Sequence, residues 1–329
     1  MAETNQRHFS IQLYALLLGL VLMGAKFIAW WLTNSNAILT DALESIINVV
    51  AAAFGLYSLA LAAKPRDRNH PYGHGKVEFL SAGFEGTLIF LAGLAIIGKA
   101  GYNLFYPQII HDLDIGLLLA AGAGAINYGI GYFLEKRGKR HKSLILQASG
   151  KHLKSDAYSS AGLVIGLILV IATGITALDS LVALIFGGII IWTGFRLVRQ
   201  SVAGIMDEAD YILIKELVDK LQQDRMDSWI DIHNFRVIKY GATLHIDCHM
   251  TVPWYYDIRQ GHEEARKFEI IVKELCEAPV EFFIHLDPCE PPGNCRICSV
   301  EGCQKRKAPL EATVTWTLDN IMRDQKHDA

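Results

Sequence analysis

Six apolar stretches, each of roughly twenty residues or more, follow one another in the first two hundred positions. They restrict the fold of this chain more than any other feature. They run from Ile11 to Leu32, Ala37 to Ala62, Phe79 to Ile97, Ile115 to Leu134, Leu144 to Ala172 and Leu178 to Val198. A helix of about 20 residues crosses the ~30 Å hydrocarbon core of a bilayer, so the runs predict six transmembrane helices. The third, fourth and sixth are rich in Gly and Ala, which let helix backbones approach closely in lipid. Lys64, Arg66, Arg68 and Lys76 lie in one connection and Lys136, Arg137, Lys139, Arg140 and Lys142 in another, whereas the opposite connections hold little beyond Lys99. The positive-inside rule places the basic loops and both termini in the cytoplasm. No cleavage pattern precedes the first run, which reads as a retained helix. The short N-terminus and the lack of a long histidine-rich loop suggest a bacterial inner (plasma) membrane. A net charge of −3 does not imply a nucleic-acid partner.

Charged residues concentrate after Asp207. A helix is predicted over Glu208–Gln223, with Leu213, Leu217 and Leu221 on one face. Trp229–Tyr240 and Ala242–Val252 alternate like paired strands, Arg259–Cys276 reads as a helix, and Val280–Asp287 as a third strand. The expected organisation is an α-helical membrane domain of six transmembrane helices (1–206), a small cytoplasmic α/β domain (207–288), and an extension bearing a cysteine cluster (289–329).

Ionisable groups at membrane depth are costly, and each is a functional hypothesis. The second run carries Asp41, Glu44, Ser45 and Asn48 at steps of three and four, which places them on one helical face. The fifth carries His152 and Asp156, four apart, with Ser155 and Ser159 nearby. If the two faces meet, carboxylate, amide and imidazole groups converge on one point, a donor set suited to zinc and its neighbours. Lys26 reads as a residue that snorkels to an interface, and Glu85 as one that lines a cavity. In the loop after the second run, Asp67, His70 and His74 have the spacing DxxHxxxH, with Pro71 and Gly73 turning the chain between the imidazoles.

These residues resemble the cation diffusion facilitator family of metal–proton antiporters. The resemblance is carried by Ser35-Asn36-Ala37-Ile38-Leu39-Thr40-Asp41-Ala42, by His70-Pro71-Tyr72-Gly73-His74-Gly75-Lys76, and by His152-Leu153-Lys154-Ser155-Asp156. It implies a transport site of Glu44, Asn48, His152 and Asp156. Similar zinc members have His or Asp, then Asp, where this chain has Glu44 and Asn48, so Asp41 is a second candidate to complete the site. It also implies a metal site at Asp67, His70 and His74, a metallochaperone-like tail with His249, His262, His285 and Asp287 as ligands, and a homodimer. His233 reads as structural. The expected cargo is Zn2+, with Fe2+, Mn2+, Co2+ and Cd2+ as alternatives, exchanged for protons. The rival reading is a membrane-anchored metal sensor that binds without transporting.

Cys289, Cys295, Cys298 and Cys303 form C-x5-C-x2-C-x4-C around Pro291, Pro292 and Gly293. Disulfides do not persist in a reducing cytosol, so thiolate ligation is the better reading. Structural Zn2+ is expected, with an iron–sulfur cluster or redox-active thiols as alternatives. Cys248 and Cys276 fall inside a predicted strand and helix and are expected to be buried.

Overall fold

Each apolar run lies within a helix; the second and fifth runs match their helices to within a residue, and the other four helices extend several residues beyond theirs. A computed structural model describes residues 2–33, 36–106, 114–141, 143–175, 177–241, 243–276 and 278–328. Its first half comprises α1 (Ala2–Thr33), α2 (Asn36–Ala62), α3 (Val77–Phe105), α4 (Asp114–Arg140), α5 (Leu144–Thr173) and α6 (Ala177–Ile205). At 1.5 Å per residue even α2 and α4, of 27 residues, are about 40 Å long, more than a hydrocarbon core requires. Among the described residues, α3 and Ser180–Ile205 of α6 are apolar enough along their length to cross a membrane. Shorter apolar stretches cover Phe9–Ala25 and Asn48–Ala62. The apolar surface of α5 is interrupted by Lys151, His152, Lys154 and Asp156, and that of α4 by the cluster Glu135–Arg140.

Small residues set the spacing of these helices. A methyl group on Gly194 of α6 would lie 2.5 Å from the Phe90 backbone nitrogen of α3. One on Gly150 of α5 would lie 2.5 Å from the Glu135 nitrogen of α4. Close backbone approach of this kind replaces the hydrophobic drive that lipid removes. It also holds α5 between α4 and α6, with its polar turn against α2. Glu85 is buried: it accepts a hydrogen bond from Ser149 Oγ at 2.8 Å, and Ser149 accepts one from Gln12 Nε2 at 2.9 Å. The Lys26 side chain lies outside the described residues.

Residues Asp207–Ala329 make a second compact unit. Its elements are α7 (Tyr211–Gln223), β1 (Asp231–Tyr240), β2 (Thr243–Val252), α8 (Ile258–Leu275), β3 (Val280–Pro288) and the single-turn α9 (Leu318–Ile321). The first helix starts at Tyr211 rather than Glu208 because Asp210 caps it, accepting from Leu213 N at 3.2 Å. Asp257 and Gln260 form a reciprocal capping box that starts α8. Strand order is β1-β2-β3, with β1 antiparallel and β3 parallel to β2, so α8 is the crossover that a parallel pair requires. Trp229, Phe235 and Phe268 are fully buried in the core, which the 289–329 extension completes with Trp316 and Ile321. Cys248 is buried and Cys276 only half-buried. A β-bulge between His233 and Arg236 sets Asn234 and Phe235 against Cys248 alone, with Asn234 at φ +52°, a conformation that Asn tolerates.

Candidate metal centres

The amide of Asn48 joins the polar faces of α2 and α5. Its Nδ2 donates to Asp156 Oδ2 at 2.6 Å, and its Oδ1 lies 2.8 Å from His152 Nε2. One side chain thus satisfies an imidazole N–H and a carboxylate together, which fixes both rotamers. His152 is buried, as are Ser45 and Ser155 on the same surfaces. The side chains of Asp41 and Glu44 lie outside the described residues. A divalent cation entering here would meet one nitrogen and at least two oxygen donors, and the Asn48 Nδ2–H would have to leave the Asp156 carboxylate first.

In the loop between α2 and α3, Asp67, His70 and His74 bring one ligand atom each within 4.8 Å of one another. Asp67 accepts the backbone N–H groups of Asn69 at 2.9 Å and His70 at 2.7 Å, which closes the turn. The His70 N–H is the main cause holding the Asp67 carboxyl below the usual range. His70 Nδ1 lies 3.1 Å and His74 Nε2 3.4 Å from the two Asp67 oxygens. Gly73, at φ +90°, makes the turn that sends His74 back towards His70.

The tail places its imidazoles in a row across the sheet. His233 on β1 pairs with His249 on β2, which pairs with His285 on β3. Ring centroids are 5.1 Å apart in the first pair and 4.8 Å in the second. The Asp287 carboxylate serves all three: Oδ2 lies 3.5 Å from His249 Nδ1 and 3.7 Å from His233 Nε2, and Oδ1 lies 3.4 Å from His285 Nε2. His233, His249 and Asp287 form the tight set, within 4.8 Å. His233, read from the sequence as structural, is thus placed among the potential ligand atoms. Burial holds its imidazole below its ordinary pKa, against the opposing pull of the Asp231 carboxylate and with help from the neighbouring His249. His262 is exposed on the first turn of α8, in a cavity of about 560 Å³ that Asp287 also lines. His245 stands two rungs from His249 along the same face of β2, 3.5 Å from Glu281.

The four extension thiols share one loop. Among the described residues they do not form a set of three within 4.8 Å, unlike the two groups above. Backbone N–H groups of Trp254 and Lys307 donate to Cys289 and Cys295, each at 3.4 Å, and Tyr255 Oη to Cys303 at 3.6 Å. Arg306 binds the carbonyls of Cys295, Cys298 and Val300 at 2.8, 2.8 and 3.1 Å and holds the loop in shape. Burial, reinforced by neighbouring thiols, pushes Cys289 and Cys298 up. Burial also acts on Cys303, but hydrogen bonds, led by that from Tyr255, outweigh it and bring this thiol down.

A helical half with a polar cluster between α2 and α5, followed by a unit that gathers imidazoles on a sheet, fits the class of membrane proteins that handle metal cations. Comparison with known proteins agrees. Residues 12–206 match the cation efflux transmembrane domain, and residues 208–289 match the cation efflux protein cytoplasmic domain. The chain is 33% identical over 273 residues to an uncharacterized transporter of Synechocystis sp., covering 83% of this chain and 88% of that one. It is 28% identical to the manganese efflux system protein MneS of Bacillus subtilis, covering 82% and 92%. It is 27% identical to the cation-efflux pump FieF of Pectobacterium carotovorum, covering 82% and 89%. The chain belongs to the cation diffusion facilitator family. It is an integral membrane protein that exports divalent metal cations, and no enzymatic family is indicated.

Proposed function

We propose that this protein exports Zn2+ in exchange for protons, by alternating access through six membrane-spanning helices, from a bacterial cytoplasm that contains both termini. The observation that carries the reading is the His152–Asn48–Asp156 arrangement between α2 and α5. A cation approaching from the cytoplasm displaces the protons of His152 and the carboxylates, because ligation requires the neutral imidazole and the ionised acids. On the far side, protons compete for the same atoms and release the cargo. Imidazole is suited to this exchange because its unperturbed pKa of about 6.5 lies within the working range. Glu44 completes the site together with Asn48, and Asp41 is the alternative donor. The protein works as a homodimer. Asp67, His70 and His74 form a secondary cytoplasmic metal site. The tail set of His233, His249, His285 and Asp287, with His262 in reach, senses metal load. The four extension thiols hold a structural zinc ion: they are soft donors on one loop, and backbone N–H groups already face two of the sulfurs.

Mn2+ or Fe2+ as principal cargo is the second reading. It is favoured by the neutral Asn48 and by the name of the Bacillus relative. The experiment is metal uptake into proteoliposomes under an imposed pH gradient, with zinc, manganese, iron, cobalt and cadmium compared side by side. Gradient-dependent zinc uptake supports the first reading. Uptake of manganese or iron without zinc replaces the cargo and keeps the mechanism. No uptake by folded protein moves the function to a membrane-anchored sensor.

A further inference from the structure

The metal row on the sheet has a support that lies outside the part of the chain matched by the family. Asp231 precedes His233 by two residues on β1, so the two side chains leave the same face of the strand. The register extends this pattern. His233, His249 and His285 occupy one rung, and Asp231, Thr251 and Asp287 the next. Asp231 has no solvent exposure. A carboxylate buried so completely costs several kcal/mol unless charge and hydrogen bonds offset it. Two imidazoles face it. His233 Nδ1 lies 3.2 Å from Oδ2, close enough for an ion pair but off the line of a hydrogen bond. His327, 96 residues further along, donates Nδ1–H to Oδ1 at 2.5 Å and its backbone N–H to Oδ2 at 3.1 Å.

The segment that delivers His327 is anchored independently of this contact. Trp316 and Ile321 are buried in the core, Leu318 and Met322 pack against it, and the Arg323 carbonyl accepts from Asn234 N at 2.7 Å. This last bond ties the chain end to the bulge between His233 and Arg236. The cytoplasmic-domain match ends at residue 289, so the clamp is made by a part of the chain beyond it.

We propose that Asp231 and His327 are positioning residues for the tail metal site, a proposal that rests on the metal-binding reading of His233, His249 and Asp287. Metal-ligating histidines commonly turn their second ring nitrogen to a carboxylate that fixes tautomer and orientation. Here Asp231 faces Nδ1 of His233, and this leaves Nε2 directed at Asp287. His327 holds Asp231 by both oxygens and thereby sets the ligand at one remove. The end of the chain is part of the metal-binding apparatus of the tail.

The test uses full-length protein in detergent, with Zn2+ affinity measured by chelator competition and Co2+ as a spectroscopic probe. The cobalt signal of each variant is subtracted from that of wild type, so the contributions of the other sites cancel. His327→Ala and Asp231→Asn are expected to weaken the tail site roughly 10- to 100-fold and to change its cobalt ligand-field bands. His327→Asn keeps an N–H donor near the place of Nδ1 and is expected to restore most of both readouts, which a purely packing role would not predict. His249→Ala and Asp287→Ala are the reference variants. If they lose the site while His327→Ala and Asp231→Asn keep wild-type affinity and spectrum, the positioning role is overturned and the metal site stands. If His249→Ala and Asp287→Ala also leave the spectrum unchanged, the metal site itself falls and the proposal falls with it. Should Asp231→Asn fail to fold, the contrast between His327→Ala and His327→Asn decides.

Discussion

The two halves of this protein assemble metal-binding groups by different means. Between α2 and α5 the donors sit one helical turn apart, and the facing of the two helices brings them together, with one amide satisfying both neighbours. In the tail, each of three strands contributes one imidazole, and a single carboxylate serves them all. On the proposed alternating-access cycle, a small relative movement of α2 and α5 would separate the donors. The sheet arrangement is rigid, because β-ladder hydrogen bonds and a buried aromatic core fix the spacing of its rungs. A transported ion needs the first kind of site, and a retained ion is better held by the second.

The largest expected effect tests that division. Asp156→Ala should reduce gradient-driven metal uptake in proteoliposomes to the level of empty vesicles, while leaving tail metal binding intact. Loss of both would break the comparison. Next comes the core under the sheet. Phe268 is fully buried and lies edge-on to Trp229 with centroids 5.8 Å apart. Phe268→Ala should destabilise the cytoplasmic unit by about 3–5 kcal/mol and loosen its metal row, read from amide exchange of β1 and β2. On the membrane side, Gly194→Ala should cost about 1–3 kcal/mol, because its methyl meets the α3 backbone. Gly188→Ala, into open space, should be neutral, and thermal inactivation of uptake compares the two.

The smallest effect concerns a buried carboxylate that fastens the tail core. Glu264 accepts from Trp229 Nε1 at 2.9 Å, Ser228 Oγ at 2.7 Å and Lys267 Nζ at 2.6 Å. Glu264→Met leaves the indole N–H without an acceptor and should cost about 1–3 kcal/mol in unfolding of that unit. The sign of its pH dependence follows from the shift. Burial pushes the carboxyl up, but Lys267, Ser228 and Trp229 together outweigh burial, so the folded pKa lies below the unfolded value of about 4.3. The contribution is present in full above that value and is lost as pH falls through the lower folded pKa. Acid melting curves of wild type should therefore drop more steeply than those of Glu264→Met, and parallel curves would sink the assignment.

Much of this was legible from residue order alone. The helix spacing of Asn48 against Glu44, and of His152 against Asp156, is a property of 3.6-residue periodicity. The strand period likewise puts His285 and Asp287 on one face without any coordinates. The cap at Asp210 moved the start of α7, whereas α1, α3 and α6 run past their apolar stretches because helix continues into flanking polar and aromatic residues. The place of His233 beside His249 could not be read from strand period alone. Counting register back from Tyr240 and Thr243 sets His233 opposite Met250, and only the bulge at Asn234–Phe235 moves it beside His249. The thiol spacing of the extension was visible, but the role of Arg306 in tying its carbonyls was not.

The amino-acid sequence by itself determined that a helical membrane half precedes a small α/β tail, and it supplied most of the candidate metal ligands, though not His233. Both follow from local periodicity and side-chain chemistry, which act over a few residues. The tertiary structure alone decided which of those residues meet. Asn48 reaches His152 across 104 positions, and Asp231 reaches His327 across 96. Contacts over such separations depend on helix packing, on one bulge and on where the chain end docks, and no local pattern encodes any of these.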